Sequence, residues 1–239
     1  MTTSLLQPQP TEIFYPCSDG EPVAESYVHL YALMVTLEVL RQYLLAQQAT
    51  VLGNQFLYYA QGFPRLRVAP DVMVIFNVAP GGRDNYKTWE EGEVPAVVFE
   101  MTSKSTKNQD LGAKKTLYEG LGVQEYWLFD PRGEWIEEQL RGYRLLNEEY
   151  QLITDSRSEP LRLRLQVEGQ LIGFYREDTG EKLLIPQELA DALGQEKAAR
   201  RQAEDARQQA EDARQQTEVE NERLKAQLRA LGADPESAP

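Results

Sequence analysis

The chain has 239 residues, 41% of them hydrophobic, with 38 acidic against 25 basic side chains and a formal net charge of −13. Its single cysteine, Cys17, and single histidine, His29, exclude an intrachain disulfide, a thiolate zinc cluster and a His-rich zinc or iron site. The 12 acidic and 8 basic residues from Pro186 onward leave 26 acidic and 17 basic before it, a net of −9, which argues against tight non-specific binding of duplex DNA, where basic contacts to phosphate supply the affinity.

Residues 1–20 read as a flexible arm, and MTTSLLQPQP has neither the basic stretch nor the apolar run of a signal peptide. The longest apolar stretch, Leu30 to Leu45, contains Glu38 and Arg41 and is too short to span a bilayer. No membrane contact and a cytoplasmic location are therefore expected. From Glu25 to about Gln47, Leu30, Leu33, Leu37, Leu40 and Leu44 recur at helical steps and form one apolar stripe. Gly53 and Asn54 break the chain, and FLYY (Phe56 to Tyr59) and VMVIFNV (Val72 to Val78) follow as strands, the second entered through Pro70. A polar loop from Ala79 to Val94 carries Trp89, which either stacks on a base or tucks back onto the domain.

AVVFEM, after Pro95, is a further short strand; Thr106 with Gln109 suggests a capping box opening a helix at about Asn108, ended by Gly120 or Gly122. EYWLFDP, Glu125 to Pro131, is a strand with a proline stop, and Trp135 to Glu177 reads as an antiparallel meander covering the sheet edge. The expected organisation is an arm at 1–20, an α/β domain at 21–185, a helical tail at 186–231 and a disordered end at 232–239. In the tail, Ala199, Ala203, Ala206, Ala210 and Ala213 keep a seam that Thr217, Leu224 and Leu231 continue, and QAEDARQ occurs twice in succession. An alanine seam buries little area at ~25 cal/mol per Å². The expectation is a coiled-coil tail that pairs loosely with a second copy, a homodimer and not an obligate coil.

The chemistry concentrates in Asp71 after Pro70, Glu100 closing VVFE, and Lys114. Cleaving a phosphodiester requires charge to be neutralised on the phosphate oxygens and a water to lose a proton; Mg²⁺ or Mn²⁺ meets both needs and takes hard oxygen ligands. Asp71 and Glu100 suit that role if their strands are neighbours, with the backbone carbonyl of Met101 as third ligand. Asp110, Lys114 and Tyr118 share one helix face, which turns either to the strand ends or to water. Tyr118, Tyr126 and Trp127 read as packing residues and His29 as structural.

The run PDVMVIF, PAVVFEMTSKST, DLGAKKTLY and GVQEYWLFDP resembles the Uma2 family of restriction endonucleases, within the PD-(D/E)XK nuclease superfamily, over roughly Glu21 to Pro131. The resemblance implies a restriction-endonuclease-like mixed sheet flanked by helices, Asp71 and Glu100 as metal ligands, and a nucleic-acid substrate, DNA favoured. It also implies Glu25 as an additional acidic ligand. The superfamily places a lysine two residues after the second acid, where this chain has Thr102; the resemblance assigns that role to Lys114, with Lys104 and Lys115 as substitutes. The competing reading is a non-catalytic module of the same fold that recruits partners through its tail, favoured by Thr102 and the net charge. A paired-carboxylate glycosidase explains Asp71 and Glu100 but leaves Lys114 without a role.

Overall fold

The computed structural model describes residues 13–20 and 25–231; most of the expected arm and all of the expected disordered end lie outside them. Helix α1, Tyr27–Tyr43, starts at Ser26, whose hydroxyl accepts from the His29 N–H at 3.4 Å. Its buried face is Ala32, Leu33, Val35, Thr36, Val39 and Leu40, whereas Leu30 is exposed. Leu33, Leu40 and Leu44 of the expected stripe are buried and Leu37 packs against the core, so the stripe holds except at Leu30 and is widened by small and β-branched residues.

Strands β1 (Ala49–Leu52), β2 (Leu57–Tyr58), β3 (Arg67–Val68), β4 (Val72–Phe76) and β5 (Tyr86–Lys87) precede a short helix α2, Thr88–Glu91. Strand β6 is Val97–Met101; helix α3 (Lys107–Gln109), a π-helical turn (Asp110–Lys114) and helix α4 (Lys115–Leu121) lead back to β7, Glu125–Phe129. Then come β8 (Leu140–Leu146), β9 (Glu149–Ile153), β10 (Arg157–Ser158), β11 (Leu163–Glu168), β12 (Leu171–Arg176) and helix α5, Pro186–Ala230.

The main sheet has the order β1-β4-β6-β7-β8-β9, with β6 and β7 parallel and the other pairs antiparallel. Pleating sorts its residues onto two faces. Val72, Val74, Val97, Phe99 and Trp127 pack with α1 and with Leu163, Leu165, Ile172 and Phe174 of the sheet β10-β11-β12. Met73, Ile75, Val98, Tyr126 and Leu128 pack on the other side with Tyr118 of α4 and with Leu57 and Tyr86 of the small sheet β3-β2-β5. The expected meander is thus two objects: β8 and β9 extend the main sheet, and β10–β12 form a second layer, joined through the edge-to-face contact of Phe174 on Phe99 at 6.0 Å. Alternation is the same for either arrangement, which is why pattern alone did not separate them.

The expected capping box does not form. Thr106 makes no side-chain cap to its helix; its hydroxyl accepts from the Ser103 N–H at 3.0 Å. Gly122 ends α4 in the left-handed conformation, φ +80°. Trp89 tucks back against Tyr15, ring centroids 5.2 Å apart. Helix α5 forms a separate compact unit and buries none of its side chains; Glu211–Arg214 and Glu222–Lys225 pair along its surface.

Candidate metal centre

Antiparallel pairing of β4 with β6 sets Val72 opposite Phe99, so one further step sets Asp71 opposite Glu100. The start of one strand therefore meets the end of the other, and both carboxylates fall on the sheet face that α4 covers. Asp71 Oδ2 accepts the Met101 N–H at 2.6 Å, which fixes the aspartate against the strand. Met101 is buried at that junction.

Glu100 is 1% exposed. Lys114 Nζ donates to its Oε2 at 2.8 Å, and the Tyr118 hydroxyl donates to its Oε1 at 2.7 Å. Tyr118 therefore packs, as expected, and also orients the carboxylate. Lys114 Nζ also pairs with Oδ1 of fully buried Asp110 at 3.0 Å, while Asp110 Oδ2 has no hydrogen-bond partner. Burial pushes the Glu100 carboxyl up to about 8, with Asp71 and Asp110 adding to the rise against the pull of Lys114. Burial would lower the Lys114 ammonium, but Glu100 and Asp110 outweigh it and hold the group protonated above its ordinary range.

Lys114 thus brings an ammonium to Glu100, two residues before Thr102. The π-helical turn Asp110–Lys114 carries it; such turns insert one extra residue into a helix and recur at functional sites. Thr102 is buried with its hydroxyl unpartnered. Lys115 stands over the Tyr143 ring at 4.8 Å, on a different side of the helix, while Lys104 lines the cleft described next.

From the sheet's other side the first turn of α1 brings Glu25 and His29. His29 Nε2 is 3.2 Å from Glu25 Oε2 and 3.7 Å from Asp71 Oδ2. Burial disfavours the imidazolium, yet Asp71, Glu25 and Glu100 raise its pKa above the usual value. Burial also raises the Glu25 carboxyl, with His29 opposing and Asp71 reinforcing the shift. These residues open on a cleft of about 820 Å³ lined also by Thr102, Lys104, Arg132 and Trp135. Its far wall is held by Asp130, which accepts the Arg132, Gly133, Trp135 and Ile136 N–H groups.

Four carboxylates, Glu25, Asp71, Glu100 and Asp110, therefore converge on one ammonium and one imidazole. One ligand atom from each of Glu25, His29 and Asp71 lies within 4.8 Å of the others. Excess buried anion with an unpartnered oxygen fits a divalent cation. The structure gathers the four expected residues, Asp71, Glu100, Lys114 and Glu25, and adds His29, read from the sequence as structural, and Asp110, read only as sharing the Lys114 face. Their spacing was the available signal, since each stands four residues from an acid or lysine named on its own helix, Glu25 and Lys114 respectively.

The Uma2 family model, described as "Putative restriction endonuclease", matches residues 5–174. Among solved structures, a putative nuclease belonging to DUF820 from Anabaena variabilis is similar to this chain at 15% identity and a TM-score of 0.41, covering 59% of this chain and 76% of that one. No curated protein matches the sequence significantly.

Proposed function

The chain belongs to the Uma2 family, and from that membership together with the site we propose that it hydrolyses phosphodiester bonds of nucleic acid, DNA favoured, with Mg²⁺ or Mn²⁺. The observation that carries this reading is the convergence of Asp71, Glu100 and Lys114 at adjoining strand ends, with a surplus of buried negative charge. Asp71, Glu100 and the Met101 carbonyl would hold the ion, with Glu25 as an additional ligand. A divalent cation there supplies neutralising charge to the phosphate and lowers the pKa of the attacking water.

The chain's own residues do the rest. Lys114, kept as an ammonium by its two carboxylates, is unsuited to accept a proton at neutral pH. It orients the water and faces the charge that grows on the phosphate oxygens. Tyr118 and the Met101 N–H keep Glu100 and Asp71 from turning away. Lys104 and Arg132 offset Glu25 and Glu134 along the cleft, where a phosphate backbone would run. Replacing both by alanine is expected to raise KM several-fold with little change in kcat, measured on a fluorescent oligonucleotide.

The test is incubation of purified protein with supercoiled plasmid, single-stranded DNA and RNA in Mn²⁺, Mg²⁺ or a chelator. Cleavage that needs the metal and disappears in Asp71→Asn and Glu100→Ala supports the reading. Absence of cleavage on every substrate by folded protein would favour the non-catalytic module, for which Thr102 and the net charge of −13 already speak.

A further inference from the structure

We propose that His29 is itself a metal ligand, completing a Glu25–His29–Asp71 face that makes this centre prefer a transition ion such as Mn²⁺ over Mg²⁺. The proposal rests on the metal-dependent reading above and adds a nitrogen donor to it.

The geometry is specific. His29 is 9% exposed, and its Nε2 is buried without a hydrogen-bond partner. Leaving a buried ring nitrogen unsatisfied costs stability, so its position calls for a cause. The nitrogen is near two carboxylate oxygens, at 3.2 Å and 3.7 Å, yet lines up with neither. An imidazolium serving only as an ion-pair donor would aim its N–H at one of them. A nitrogen set between two anionic oxygens is instead placed to share a cation with them. Two ligands each about 2.1 Å from one ion stand roughly 3.0–3.5 Å apart in octahedral or tetrahedral arrangements, close to the separations seen.

The donors come from two separate elements, Glu25 and His29 from the start of α1 and Asp71 from the start of β4, so their meeting is a product of the fold. Ser26 caps α1 between Glu25 and His29 and fixes that turn, while Asp71 is anchored from β6 by the Met101 N–H. Glu25 and His29 line the open cleft, which gives an ion a route in from solvent. Imidazole suits Zn²⁺ and the later first-row ions best, and Mn²⁺, which binds nitrogen and oxygen sites more weakly than those, still sheds water for a nitrogen donor more readily than Mg²⁺, which demands oxygen and keeps its waters.

Because His29 is the sole histidine in the sequence, the test is unambiguous in the full-length, tag-free protein. Mn²⁺ is bound to protein made with natural or ¹⁵N-labelled histidine, and the electron spin-echo modulation is recorded. The expected result is a nitrogen coupling that changes from ¹⁴N to ¹⁵N with the label. In calorimetry, His29→Gln is expected to weaken Mn²⁺ binding on the order of 10- to 100-fold and Mg²⁺ binding far less. The labelled spectrum of wild type decides the matter even if that variant does not fold. Mn²⁺ bound, and lost in Glu100→Ala, but with no histidine coupling would overturn the His29 assignment while leaving the metal-dependent reading in place. No Mn²⁺ binding by folded wild type would overturn both.

Discussion

Burial raises the Glu100 carboxyl above the range of an exposed carboxylate, and this has a consequence for stability. Glu100, Glu25 and His29 all have raised pKa values in the folded protein, so the folded state retains protons that the unfolded chain releases. Their contribution is complete below the ordinary carboxylate value of 4.5 and is lost as pH rises toward about 8 for Glu100; His29 adds the same sign above 6.5. Metal-free protein is therefore expected to lose a few kcal/mol between about pH 5 and pH 8. Glu100→Gln should flatten that slope in denaturant titrations, and saturating Mn²⁺ should do likewise. A metal-free wild type that gains stability over the same range would contradict the arrangement. At this scale the sequence was partly legible. Asp71 and Glu100 stood out because proline-bounded strands end on them, and an acid after VVF requires a partner. His29 did not stand out, because a lone histidine on an amphipathic helix reads as core. Only the packing of α1 against the end of β4 gives it Asp71 as a neighbour.

Elements were easier to locate than to layer. The strands around the site matched their apolar runs, since each is short, buried and punctuated by proline or glycine. What pattern did not reveal was the π-helical turn Asp110–Lys114, which is one residue longer than a regular helix allows and whose effect depends on what lies opposite. Deleting Gly112 to restore a regular helix is expected to turn the segment before it by about 100° relative to α4, so that Asp110 and Lys114 no longer both face Glu100, abolishing cleavage while the circular dichroism spectrum stays close to wild type. Retained activity would show that the turn has no part in placing Lys114. A second element-scale consequence lies at β7 and β8. A Cβ on Gly142 would sit 2.6 Å from the Trp127 ring, and Trp127 is tied through its indole N–H to buried Glu125, so it has little freedom to yield. Gly142→Ala is expected to cost about 1–3 kcal/mol in denaturant unfolding, and an unchanged midpoint would refute the packing argument.

For the whole molecule, charge sets the terms. A chain at −13 gains little from counterion release, so under the proposed function its hold on nucleic acid would come from the cleft and a bound ion, and binding without metal is expected to be weak even at low salt. Helix α5 buries none of its side chains within the described residues, as an alanine seam with a weak partner preference would; loose pairing with a second copy predicts a concentration-dependent mass in sedimentation, and a monomer at every concentration would remove that expectation. Among the described residues no helix is long and apolar enough to cross a membrane. In the proposed function, phosphodiester cleavage depends on a lysine supplied from the helix and not from the strand. The most direct measurement of that dependence is the Mn²⁺-supported nicking rate of supercoiled plasmid by Lys114→Met beside wild type, with metal affinity measured on the same samples. The account predicts a loss of about 100-fold or more, in the range of a removed charge-stabilising group, with Mn²⁺ still bound. Nicking at the wild-type rate by the Lys114→Met protein would contradict it.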